Sequence, residues 1–133
     1  LKPVLIILNL GDGQDAPSIT YSHHFSSLLS LQGRLEMELA QFPADEAEIF
    51  MQEFGIEELG LQRVIRESYN LLGLQSFFTV GEDEVRAWTV QRGARAYEAA
   101  GVIHSDLQKG FIRAEVVEYD VLISLGGLAE ARS

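Results

Sequence analysis

The chain has no cysteine, which excludes disulfide staples and thiolate chemistry. That absence is consistent with a cytoplasmic protein. No run of about 18 apolar residues occurs, so no membrane-spanning helix and no membrane partner are expected. The motif G-x-x-x-x-G-K-[ST] occurs nowhere, so these residues hold no phosphate cradle and no magnesium ligand of that kind. Positive charge is scarce as well. Ten Lys and Arg stand against 20 Asp and Glu, a net charge of −10. Such acidity argues against a non-specific grip on nucleic acid, which comes from cations on phosphates, and no DNA specificity is expected. The chain opens on Leu1, and Pro3–Leu8 is apolar without the basic flank or cleavage site of a signal peptide. It reads as a strand entered in mid-fold, and the chain is expected to be part of a longer protein.

What is present suits one ordinary domain or two small ones: 133 residues, 47% of them apolar. Lys2–Asn9, KPVLIILN, is a buried strand of the parallel type, ended by Asn and Gly. A loop rich in Gly, Asp and Pro follows to Ser18. Residues 19–35 fit either a helix or a strand, since Leu28, Leu29 and Leu31 suit both. Glu36–Phe42 predicts a short helix stopped by Pro43. Asp45–Phe54 places Ile49, Phe50 and Phe54 on one helical side, with Gly55 suited to the position just past the end. Leu61–Leu72 is the clearest helix, and Gly73 stops it.

Composition changes at Leu74. QSFFTV (75–80) and VRAWTVQ (85–91) flank a polar link and predict a β-hairpin. Ala-rich 95–103 predicts a helix. Phe111–Val117 alternates again and predicts a strand, and Tyr119–Leu125 returns to a helical or turn pattern. Hairpin, helix, strand is the opening of a β-grasp fold, in which a small mixed sheet cups one helix.

The second half is more specific than a fold class. FFTVGEDEVRAWTVQRG, followed by AAGVIHSDLQKGFIRAEVVEYDVLI, resembles the C-terminal region of the YchF/Obg-like P-loop NTPases. LGLQRVIRESYNLLGL is similar to the helical segment before it. The resemblance implies an α+β chain: the α/β end of a G domain at 1–42, a helical connection at 43–73, and a TGS-like β-grasp domain at 74–133, short of its last strands. KPVLIILN resembles the G-domain strand that ends in the base-recognition motif, N-K-x-D in GTPases and N-x-x-E in this family. Here the motif reads Asn9-Leu10-Gly11-Asp12, with the shorter acid, and both ATP and GTP stay open. Gly33, in Gln32-Gly33-Arg34, falls where the family's second base loop offers a backbone amide. The resemblance thus implies Asn9, Asp12 and Gly33 as base-binding residues. In the full-length family it implies Mg²⁺ with ATP or GTP, hydrolysis, and association with the ribosome or RNA. With no phosphate loop in these residues, no tight nucleotide binding and no catalysis are expected of this chain alone. The alternative is a catalytically inactive TGS/β-grasp interaction module.

Other features weigh toward structure. His104-Ser105-Asp106 looks like a triad, but a triad is defined by spatial roles and not by adjacency. A structural loop with local hydrogen bonds is the expectation. His23-His24 lacks the spacing of a metal site, and no metal is expected. Trp88, Phe77, Phe78 and Phe111 read as core at strand spacing more readily than as a stacking platform for bases. The charge is uneven: residues 1–73 carry four Lys/Arg and eleven Asp/Glu, residues 74–133 six and nine. Any RNA or partner surface is therefore expected in the second half, at Arg95, Lys109 and Arg113. Arg86 and Arg92 share a strand face with Trp88 and Val90, so one of them is a candidate to close the core edge.

Overall fold

The computed structural model describes residues 1–11, 13–81 and 83–131. The chain divides into two compact units, Leu1–Phe77 and Phe78–Ser133.

In the first unit β1 (Val4–Asn9) pairs in parallel with β2 (Ser26–Leu31), in a register running from Val4 opposite Ser26 to Asn9 opposite Leu31. Within 19–35, the segment that sequence periodicity left open, Ser26–Leu31 is a strand because a parallel neighbour satisfies its backbone, and 33–35 open a helix. The pairing continues past both ends: Val4 N–H donates to the Phe25 carbonyl at 2.9 Å and Leu10 N–H to the Leu31 carbonyl at 2.8 Å. Before β2 the chain turns on His23. Its Nδ1 accepts the Phe25 N–H at 3.2 Å, and its carbonyl accepts the Ser26 hydroxyl at 2.9 Å. The His24 ring meets the Phe25 ring edge-on at 4.6 Å.

Three helices follow. α1 (Gly33–Leu39) starts a little before the expected Glu36 and buries Leu39, 2% exposed. Pro43 then stands at the N-cap of α2 (Ala44–Glu53), whose Phe50 ring stacks on Phe42 at 5.0 Å. α2 closes as the sequence predicts. Ile56 N–H donates to the Met51 carbonyl and Gly55 N–H to the Gln52 carbonyl, with Gly55 at φ 66°. This is a Schellman closure, and its left-handed residue costs glycine nothing. α3 (Gly60–Leu72) packs on both strands. Its Glu67 Oε2 accepts the Ser27 hydroxyl of β2 at 2.8 Å.

β3 (Leu74–Val80) and β4 (Val85–Gln91) form a two-stranded sheet, as predicted. Its link is closed by Gly81 N–H donating to the Glu84 carbonyl at 2.8 Å. In the second unit Trp88 donates its Nε1–H to Thr79 Oγ1 at 2.9 Å. α4 (Ala96–Ile103) covers β4, burying Val90 and Ala100. α5 (Ser105–Lys109) lies against α4 so closely that a Cβ on Gly101 would meet Gln108 Cδ at 2.6 Å. α6 (Tyr119–Leu125) sets the Tyr119 ring 5.6 Å from Phe78, and α7 (Leu128–Ala131) follows.

One expectation fails in this unit. Phe111–Val117 alternates like a strand, yet it carries no assigned strand, and the sheet of β3 and β4 has only two members. Alternation prepares two faces, but a strand exists only when a neighbour takes its N–H and C=O groups. Among the described residues no strand pairs with it, the Phe111 N–H donating instead to the Gln108 carbonyl at 3.3 Å, and Ile112 and Val116 stay 90% and 85% exposed.

Gly73 ends α3 at φ 64°, one residue before β3. A side chain there must adopt a left-handed conformation. Gly73→Ala should destabilise the chain by about 1 kcal/mol, read as a lower urea midpoint at unchanged slope, and Gly73→Asn should lose less.

Candidate functional site

The carboxyl ends of two parallel strands are where an open α/β sheet offers its side chains to a ligand. Asn9 is the last residue of β1, and opposite it Leu31 ends β2. Just beyond, Gly33 N–H donates to Asn9 Oδ1 at 3.0 Å. One side chain thus fastens the loop after β1 to the loop after β2. The approach is close: a Cβ on Gly33 would lie 2.9 Å from Asn9 Oδ1 and 3.3 Å from Leu31 Cδ1. The loop after β1 is closed again a little further on. Gly11 N–H donates to Gln14 Oε1 at 2.9 Å, Gln14 N–H returns to the Gly11 carbonyl at 3.1 Å, and Gly13 sits at φ 68°.

A second tie runs from α1. Glu36 N–H closes the first turn onto the Gln32 carbonyl at 3.0 Å, and its carboxylate accepts the Gly60 N–H at the start of α3. Behind these ties lies a cleft of about 480 Å³ lined by Leu10, Gln32, Glu36, Phe54, Arg63 and Arg66, among others. Arg66 grips Glu58 through its two terminal guanidinium nitrogens, Nη1 at 2.7 Å. The cleft lining mixes acids and arginines with apolar side chains.

Asn9 and Gly33 are therefore brought together, while Asp12 lies outside the described residues. Because the Gly33 N–H already has Asn9 as its acceptor, a bond from that N–H to a base would have to replace this one. The second-half cations are placed separately. Arg95 is the N-cap of α4 and exposed, its own N–H donating to Glu98 Oε2 at 2.7 Å. Lys109 ends α5 with its Nζ 3.6 Å from Asp106 Oδ1. Arg113 is exposed in the segment after α5. Arg86, exposed, lies 4.4 Å over the Trp88 ring. The His104-Ser105-Asp106 run is a helix start, with His104 Nδ1 accepting the Asp106 N–H at 3.1 Å. Local bonding was expected there, but the residues cap α5 where a loop was predicted.

Comparison with known proteins bears on the whole chain. The family model YchF-GTPase_C, described as a protein of unknown function (DUF933), matches residues 74–133. A protein of Bacillus subtilis named ribosome-binding ATPase YchF is 40% identical over 98% of this chain. A protein of the same name from Pasteurella multocida is 44% identical over 99% of it. The chain belongs to the YchF family. It spans 38% of the length of each of these two relatives. The solved structure of the Schizosaccharomyces pombe YchF GTPase superposes with a TM-score of 0.68 at 34% identity, over 80% of this chain and 28% of that one.

The YchF resemblance drew attention to Asn9 and Gly33, but sequence reasoning missed Glu36 and Gly60. One signal was available. α3 begins after Leu59, which has no capping side chain, and a helix start without a local cap needs an acceptor from elsewhere. For the Asn9 tie, Asn9→Ala should cost about 1 kcal/mol and speed hydrogen exchange at the Gly33 amide, with little change at the amides of α4.

Proposed function

We propose that residues 1–42 supply the base-recognising end of a YchF-type ATPase or GTPase, and that residues 74–133 are its TGS-like β-grasp module, used in contact with the ribosome. The hydrogen bond between Asn9 Oδ1 and Gly33 N–H carries the first part. It holds two loops in register at the carboxyl ends of parallel strands, the edge at which such a sheet offers its side chains to a ligand. Asp12 is assigned as the acceptor for the base, with Asn9 and Gly33 setting the loops. The ribosome-binding names of the relatives support the second part. Exposed Arg95, Lys109 and Arg113 are the groups assigned to ribosomal RNA, and a cytoplasmic location follows from that partner.

Hydrolysis belongs to the complete protein. Phosphoryl transfer depends on positioning and charge stabilisation by a phosphate loop and Mg²⁺. The sequence here has no such loop, and among the described residues no cluster of three acidic or histidine side chains suits a metal. Among the described residues no helix is long and apolar enough to cross a membrane.

Two measurements on the complete protein test this. Asn9→Ala and Asp12→Ala should each weaken purine nucleotide binding by about tenfold, read by calorimetry. Unchanged affinity in both variants overturns the base-site reading. Arg95→Glu with Lys109→Glu should weaken ribosome association and flatten its salt dependence. The log–log slope should fall by roughly 0.7 for each single-strand phosphate that is no longer neutralised. Identical slopes and affinities exclude this surface.

A further inference from the structure

Glu36 stands on a surface helix of an acidic chain, where a solvated carboxylate would be ordinary. Its placement is different. Its backbone N–H closes the first turn of α1 on Gln32, the residue before Gly33, and its side chain takes the first N–H of α3. The two ends of one residue thus join the second base loop to a helix that packs on both β1 and β2. The partner is adapted to it as well: Gly60 is buried, and a Cβ there would lie 2.6 Å from Glu36 Oε2 and 2.9 Å from Oε1. A carboxylate at a helix N-terminus is favoured by the helix dipole and by the unpaired N–H groups. α3 has no cap of its own at Leu59, so this contact supplies one.

We infer that Glu36 is a positioning residue for purine recognition: by capping α3 at Gly60 it fixes α1, and with it the Gln32-Gly33 loop that Asn9 holds. The inference rests on the base-site reading proposed above. Asn9 secures the loop from the β1 side and Glu36 from the α3 side, so loss of either leaves the loop anchored at one point only. Glu36 also lines the cleft beneath the loop, but it acts through Gly33 and the loop backbone and need not touch the base.

The test uses the complete protein carrying this chain, titrated by calorimetry with ATP, GTP and inorganic tripolyphosphate, which has phosphates and no base. Glu36→Ala should weaken the purine nucleotides by about tenfold, the scale of a charge-assisted hydrogen bond, and leave tripolyphosphate unchanged. Glu36→Gln retains an oxygen that accepts the Gly60 N–H and should recover most of that affinity. Should Glu36→Ala fail to fold, Glu36→Asp, shorter by one methylene, carries the same comparison. An equal weakening for tripolyphosphate overturns the inference, since it reports a general disturbance. A Gln variant as weak as the Ala variant overturns it too. Unchanged purine affinity on Glu36→Ala, beside a clear weakening on Asn9→Ala, overturns this inference alone. Unchanged affinity in both variants removes the base-site reading with it.

Discussion

Two parallel strands cannot be joined by a tight turn, and the organisation of the first unit follows from that constraint. The connection must travel back along the whole pair, so β1 and β2 deliver their carboxyl ends, and the loops after them, to the same edge. Those loops have no ladder to hold them. The chain fastens them with side chains: Asn9 across to Gly33, Gln14 back to Gly11, and Glu36 onward to Gly60. Each tie ends on the backbone N–H of a glycine. At Gly33 and Gly60 the absence of a Cβ is what lets the oxygen approach.

A site built in this way is set by backbone placement more than by side-chain variety. The Asn9 side chain serves as a fixed acceptor, and Glu36 converts the start of a long helix into a second anchor. α3 is well suited to that role. It rests on both strands, and Glu67 binds the Ser27 hydroxyl within the sheet. Movement of the first turn of α1 away from β1 would therefore break two bonds, the one to Asn9 and the one to Gly60. Loops held by such ties have less conformational freedom to lose on binding any ligand, which lowers the ordering cost.

The elements with local punctuation were legible in the sequence. Gly55 and Gly73 mark helix ends whose left-handed conformation only glycine adopts without strain, and the helices of α2 and α3 end there. The apolar run of β1 and the paired runs of β3 and β4 are likewise local signals. Residues 19–35 were not legible, because leucines at 28, 29 and 31 suit either period and only the pairing with β1 chooses between them. Phe111–Val117 misled for the converse reason: the alternation is local, whereas strand formation depends on a partner. Asn9 and Gly33 could be singled out from the resemblance of their loops. Glu36 and Gly60 could not, since a cap donated across 24 residues leaves no pattern in either stretch beyond the missing cap at Leu59.

The cations of the second half show why a count of charges locates a surface only roughly. Arg86 has its guanidinium over the Trp88 ring, and the same indole is held by Thr79, so Arg86 belongs to the hairpin's own packing. Stacking there lowers its availability to a phosphate. Lys109 shares Asp106 with the cap of α5, an exposed pair of the kind that contributes little stability and yields readily to a competing anion. Arg95 uses its backbone to start α4, which leaves the side chain exposed at the helix entrance. Two arginines near each other in sequence thus differ in kind. One is fixed to an aromatic ring and serves the fold, and the other is carried by a helix start and presented to solvent. Recruiting Arg86 to an anion would first require unstacking it from Trp88, whereas Arg95 stands exposed at a helix start.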